Sequence, residues 1–390
     1  MSACRIGFVM EQTMGHVTYQ RSLAAWSKND PSIIPTWFPI QYWRPDVWSR
    51  VPGVRNNASM YLSLRARDDL RRARAASHND VLFFHTQGTA MCSVGFARRV
   101  PVVVSLDATP INMDTVAEGY NHRPDDDGAV SRLKRSIYRW VFRKAAALTT
   151  WNQWAKDSLI RDYLVPPDKV EVIPPGVDLE LWRTDRSGAG LKASPRLLFV
   201  GGDFARKGGD VLMDALRAGL SERCEVDLVT GTEGIESNDR VRVHRGLTPA
   251  DPALRRLFDE ADVFVLPTRA DCSPMAIVEA MAAGLPVVTT DVGAISEQIV
   301  DGETGLLTRP GDPADLGRAL AELLNDPERL KTYGAAGRAR AERCYDGPRN
   351  YTTLINLLKR SAGAPASAGS AAPDDEGNRR APIGARAAGD

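Results

Sequence analysis

The sequence is poor in cysteine, and the cysteines it has are not spaced to hold zinc. Cys4, Cys92, Cys224, Cys272 and Cys344 stand far apart along 390 residues. An odd, scattered set suits free thiols in a reducing compartment and excludes a disulfide framework. No apolar run reaches about 18 residues, so no membrane-spanning helix is expected. The opening MSACRIGFVMEQ lacks the apolar core and small-residue cleavage site of a secretory leader, so a cytoplasmic location is expected. Strong net charge is missing too, since 50 Lys and Arg against 49 Asp and Glu leave +1. That balance hides an asymmetry: residues 1–175 hold 23 Lys and Arg against 16 acids, and the remainder 27 against 33. A basic first half would suit nucleic acid, anionic lipid or an acidic acceptor, and uneven surface charge explains the count equally well. Neither G-x-G-x-x-G after RIGFVM nor G-x-x-x-x-G-K-[ST] occurs, which argues against a nicotinamide-dependent oxidoreductase.

What is present is an alternation. The runs RIGFVM, VLFFHT, PVVVSLD and VEVIPPG read as strands, and RLLFVGG, EVDLVTG, VRVHRG, DVFVLP and PVVTTD repeat the pattern further on. Amphipathic stretches such as PADLGRALAELLND lie between them. This is the pattern of parallel sheets covered on both faces, and 390 residues are too many for one core. The expected organisation is an α/β domain over 1–172, a linker over 173–178 (IPPGVD) and a second α/β domain over 179–345. Residues 346–360 form a final helix. Of the 30 residues from Ser361 to Asp390, 21 are Ala, Gly, Pro or Ser, which predicts disorder.

Three places could carry chemistry. The strand RLLFVGG runs into DFARKGGD, where outward N–H groups of a glycine-containing turn, a helix start and the cations Arg206 and Lys207 would suit an anion. A merely solvated basic turn is the plainer alternative. In DCSPMAIVEAMAAGLPVV, Pro274 suits the first turn of a helix with Ser273 as its cap, leaving free amides near Met275. Asp271 and Glu279, eight positions apart, could then meet two ends of a hydroxyl-bearing ligand. The alternative is that Asp271 caps the helix and Glu279 pairs with a basic residue. In the first half, Gly15 and His16 follow one strand, His85 ends another and Asp107 a third. All lie at carboxyl ends of parallel strands, where open α/β sheets bind ligands, although Asp107 in DATP also suits a turn cap.

These segments resemble the retaining glycosyltransferases of the GT-B fold, family four (group 1). The likeness rests on FVGGDFARKGGDVLMDAL with LPTRADCSPMAIVEAMAAGLPVVTTDVGAISEQIVDGETGLL, in that order, and is weaker over 1–170. It implies two Rossmann-like domains around a cleft, a nucleotide-sugar donor on the second, and a last helix that returns to the first. It also implies a hexosyltransferase-like enzyme whose acceptor, lipid-linked or saccharide, meets His16, His85 and Asp107. Carried over by position, Glu279 would hold the ribose and Asp271 would stand near the transferred sugar. Cys272, Ser273, Pro274 and Met275 would offer amides to sugar and diphosphate, Lys207 would neutralise the diphosphate, and Gly15 would approach it. Three positions depart from the pattern: Asp271 replaces a glutamate, Gly202 replaces an arginine whose charge Arg206 would supply, and Asp107 replaces a histidine. Those changes leave a catalytically inactive sugar-nucleotide-binding subunit as the alternative.

No cofactor or metal is implied, since the one D-x-D pattern in the body of the chain, Asp125–Asp127, reads as a solvated loop, and nucleic acid is not expected as a partner. Residues 131–144, SRLKRSIYRWVFRK, hold six Lys and Arg and no acid, with aromatics interleaved. On a helix this predicts peripheral contact with an anionic membrane surface, unless the aromatic side is core.

Overall fold

A parallel strand flanked by helices is buried on both faces, so its sequence runs apolar without alternation. Val81–His85 and Val102–Leu106 are buried at every position for this reason. The structure, a computed structural model, describes residues 3–42, 45–55, 57–120, 124, 128–184, 194–249 and 251–363, the side chain of Met14 excepted. Asp125–Asp127 and the predicted disorder beyond residue 363 lie outside the described residues.

The first sheet contains β1 (Cys4–Glu11), β2 (Ile33–Ile40), β3 (Val81–His85), β4 (Val102–Leu106), β5 (Ala147–Thr150) and β6 (Val170–Val172) in the order β2-β1-β3-β4-β5-β6. The second contains β7 (Arg196–Val200), β8 (Glu225–Val229), β9 (Val241–His244), β10 (Val263–Leu266), β11 (Val287–Thr290) and β12 (Gly305–Thr308) in the order β12-β11-β10-β7-β8-β9. All pairings in both are parallel. The helices that matter below are α1 (Met14–Ser27), α2 (Ala129–Lys144), α3 (Gln153–Arg161), α4 (Gly209–Ala215), α5 (Met275–Ala282), α6 (Pro327–Cys344) and α7 (Gly347–Ser361). Two doubly wound α/β halves are what the resemblance implied. No described helix is long and apolar enough to cross a membrane.

Three strands escape a reading of apolar runs. Pro35 and Pro39 interrupt β2, and the sheet tolerates them because β2 is an edge strand. β5 (Ala147–Thr150) and β12 (Gly305–Thr308) contain none of the Val or Ile that marks the other strands. In both sheets the order reverses beside a central strand, β1 against β3 and β7 against β10. A crevice opens outside the carboxyl ends at such points.

The chain passes between the halves twice, and the two passages pair. Val177 N donates to Tyr345 O (2.9 Å), and Gly347 N donates to Val177 O (3.0 Å). Beyond this crossing α7 lies on the first half. Tyr351, Leu354, Ile355 and Leu358 join one core with Ile6, Phe8 and Leu23. Lys359 Nζ reaches Ser32 Oγ at 2.6 Å, and Tyr351 Oη donates to Asp30 at 3.1 Å. The halves also touch elsewhere. Glu297 accepts from the amides of Gln153 and Trp154 at the start of α3, both at 2.6 Å.

Gly347 is fixed by this crossing, since a Cβ there would lie 2.2 Å from the Trp26 ring and 2.8 Å from Val177 O. Gly347→Ala should lower stability by about 1–3 kcal/mol, the usual cost of overpacking, read as a lower urea midpoint. An unchanged midpoint would mean that the crossing is loose.

Candidate active site

At the end of β7 the loop 201–208 turns back across the end of β10. Gly208 takes φ 77°, and a Cβ there would sit 1.9 Å from Pro267 O, so only glycine lets the two loops pass. The turn aims its cations inward. Arg206 is buried, its Nη1 donating to Ala270 O at 2.8 Å and lying 3.8 Å from Asp271 Oδ2. Lys207 Nζ hydrogen-bonds the same Asp271 oxygen. The basic turn is therefore folded against a carboxylate, not merely solvated. A Cβ on Gly202 or on Gly15 would meet no atom within 4 Å, so neither glycine is required by packing.

The start of α5 differs from the expectation in one respect. Pro274, with φ −68° and ψ 120°, occupies the cap position itself, and no side chain among the described residues caps the helix. Ser273 is thus not the cap, and neither is Asp271. The extended ψ of Pro274 places the helix start one residue later than a Ser273 cap would. No described group accepts from the Met275 and Ala276 amides. One turn further, Glu279 is buried and its carboxylate forms no hydrogen bond or ion pair among the described residues. Burial alone pushes its carboxyl up to about 8. The pairing of Glu279 with a basic residue, the plainer sequence alternative, does not occur.

In the first half the strand ends converge around His16. Its Nε2 is 3.6 Å from Asp107 Oδ2 and its Nδ1 3.8 Å from Glu11 Oε1. Burial opposes the imidazolium, but Asp107 and Glu11 outweigh it and raise His16 to about 10. Burial likewise works against a charged Glu11, yet His16, Thr86 and Thr13 bring it down to about 2. Asp107 is held below the usual carboxylate range by His16 despite its burial. His85 lies beneath this layer, fully buried, stacked on Trp151 at 5.1 Å and 4.7 Å from the His16 ring. Burial and the His16 charge push it down to about 3, so it is neutral. Its Nδ1 meets Ser105 Oγ at 3.3 Å, and its Nε2 has no partner among the described residues. His85 is thus the floor of the cluster and not its exposed face.

Tyr120 links the two halves. The Arg206 guanidinium lies 4.7 Å from the centre of its ring, and burial with nearby Asp271 pushes its hydroxyl up. Cys272, also buried, brings its Sγ to 3.4 Å from Met113 Sδ of the first half. The structure therefore gathers Arg206, Lys207, Asp271 and Cys272 on one side and His16, Asp107 and Glu11 on the other. Glu11 ends β1 as His85 and Asp107 end their strands, a signal present in EQTMGH. Tyr120 and Glu297 lie in segments without periodicity and gave no such signal. Among the described residues, no group of three or more His, Cys, Asp or Glu is arranged to hold a metal.

Two family models match the chain. One, described as Glycosyl transferases group 1, covers residues 194–326, and one described as Glycosyltransferase Family 4 covers residues 21–181. The chain is 30% identical over 284 residues to D-inositol 3-phosphate glycosyltransferase 1 of Catenulispora acidiphila, covering 66% of each chain. It thus spans just under two thirds of that relative's length. Among solved structures it resembles sucrose-phosphate synthase from Thermosynechococcus elongatus, with TM-score 0.71, 18% identity and coverage of 92% of this chain and 98% of the other. It also resembles Anabaena HepE, solved in complex with UDP-glucose, with TM-score 0.65, 17% identity and coverage of 91% and 99%.

The His16 cluster gives stability a pH signature. Because His16 is raised from 6.5 to about 10, its contribution is whole below 6.5 and is lost as pH climbs through about 10. Glu11 works in the opposite direction, its contribution being lost only as pH falls from 4.5 through about 2. His16→Gln should be less stable at neutral pH, with two carboxylates left facing each other. It should also lose the decline expected of the unmodified protein between pH 7 and pH 10. Urea midpoints across that range check this, and parallel pH profiles for the two proteins would show that the cluster is not ionised as described.

Proposed function

Because this chain belongs to the family four, group 1 glycosyltransferases of the GT-B fold, we propose that it moves a sugar, with retention, from a nucleotide-sugar donor to an acceptor hydroxyl. The observation that carries this reading is the buried, unpartnered Glu279 one turn into a helix whose first amides are free. A carboxylate so placed suits a ribose diol, and the helix start suits the diphosphate. Arg206 and Lys207, now matched by Asp271, are the cations that the diphosphate would engage.

In the step itself the bond from the anomeric carbon to the phosphate oxygen breaks, and its electron pair leaves with the diphosphate. Arg206, Lys207 and the Met275 and Ala276 amides stabilise that developing charge. The acceptor oxygen bonds the anomeric carbon on the same face, and its proton passes to the departing phosphate. Asp271, freed from Lys207, faces the transferred sugar. Asp107, held ionised by His16, accepts a hydrogen bond from a sugar or acceptor hydroxyl across the cleft. The acceptor is a lipid-linked or saccharide hydroxyl in glycoconjugate or polysaccharide synthesis. Release of nucleoside diphosphate from a panel of nucleotide sugars tests the reading. Tight binding with no release from any donor would leave the inactive sugar-nucleotide-binding subunit instead.

The two acids should separate by their ligands. A charge-assisted hydrogen bond contributes about 1.5–3 kcal/mol. Glu279→Gln should therefore weaken nucleoside diphosphate binding by roughly 10- to 100-fold. Asp271→Asn should spare that binding while depressing transfer, and equal losses of diphosphate affinity in the two variants would refute the division.

Glu279 should also make binding pH-dependent. With its carboxyl raised to about 8, only about a hundredth is ionised at pH 6. Affinity for nucleoside diphosphate should rise between pH 6 and pH 8, with proton release on binding, and Glu279→Gln should flatten that rise. Calorimetry in buffers of different ionisation enthalpy reads both effects.

A further inference from the structure

Helix α2 buries one apolar stripe and exposes another. Tyr138, Val141 and Phe142 are core, Phe142 packing edge-on against Tyr163 at 5.1 Å. Val130, Leu133 and Trp140 are 80%, 61% and 48% exposed, and Ile137 between them is half-buried. Their spacing places these four in one stripe about 15 Å long, roughly a third of the way round the helix from the buried one. Arg132, Arg143 and Lys144 beside the stripe are exposed, and no acid occurs from 131 to 144. Leu164, 63% exposed, follows Asp162, whose carbonyl accepts from Arg139 of α2 at 3.2 Å. The aromatic side of the sequence 131–144 is therefore only partly core.

The topology says where this stripe points. Only two residues separate Lys144, the end of α2, from the start of β5, so the helix's last turn is at the amino edge of the sheet. Its first turns, with Val130 and Leu133, then lie toward the carboxyl edge, where Glu11, His16 and Asp107 gather. We propose that the exposed stripe of α2 docks the protein on an anionic lipid bilayer, with Val130 and Leu133 against the headgroups nearest the cleft. Apolar side chains that enter the headgroup boundary beside Arg143 and Lys144, on a helix with no acid from 131 to 144, match such a surface in both polarity and charge. The docking stands apart from the transfer reaction. Its corollary, an acceptor presented from the membrane, rests on that reaction.

The full chain should co-sediment with phosphatidylcholine vesicles containing phosphatidylglycerol about tenfold or more better than with phosphatidylcholine alone. The binding should weaken as salt rises. The double variant Leu133→Ser/Trp140→Ser should lose it, and Arg143→Gln/Lys144→Gln should weaken it. Both should keep the far-UV circular dichroism and nucleoside diphosphate affinity of the unmodified protein. Equal sedimentation with neutral and anionic vesicles overturns the proposal, as does unchanged binding by the Leu133/Trp140 variant. A concentration-dependent dimer abolished by that variant would assign the stripe to a second copy of the chain and overturn it too. Loss of nucleoside diphosphate binding by the unmodified protein would instead count against the transfer reaction and leave the docking result readable.

Discussion

One carboxylate, Asp271, organises the second half's side of the cleft. Lys207 and Arg206 come from the loop after β7, while Asp271 comes from the loop after β10, so the pairing joins two neighbouring strand ends. Two cations held this close in a largely dry site would repel each other without a shared anion. The Arg206 bond to Ala270 O and the glycine crossing at 208 fix the same pair of loops from the backbone side. An anionic ligand entering here would meet cations already gathered and already stripped of most of their water. That is electrostatic preorganisation, with Asp271 acting as the placeholder.

The first half solves a different problem with the same means. Three strands deliver Glu11, His85 and Asp107 to one edge, and α1 adds His16 among them. Two carboxylates flank one imidazolium, while the second imidazole below remains neutral, so like charges do not meet. Asp107 directly follows strand β4, and the histidine beside that carboxylate, His16, is supplied from a helix.

Much of this was legible in the residues. Nine strands announced themselves because strands buried on both faces need unbroken apolar runs. β2 did not, because Pro35 and Pro39 are permitted only by its edge position, which is a property of the sheet and not of the segment. Arg206, Lys207, Asp271 and Glu279 were found because their surroundings made their charge conspicuous. The partner of Asp271 was not, since contact between residues 64 positions apart depends on strand order. Tyr120 belongs to an aperiodic stretch and acquires meaning only when the two halves face each other. Ser273 suits a cap by residue type, but the backbone of Pro274 decides the helix start.

The return of α7 has a consequence for how the protein is made. The face of the first sheet that carries Ile6 and Phe8 is completed by Tyr351, Leu354 and Leu358, about 350 residues later. A chain emerging from the ribosome amino end first therefore cannot finish its first half until nearly everything described has been synthesised. The second half holds all its strands between residues 196 and 308, and its core is complete at Tyr345, just before α7 begins. In biosynthetic order the second half completes its core just ahead of the first, which waits longest with an open face.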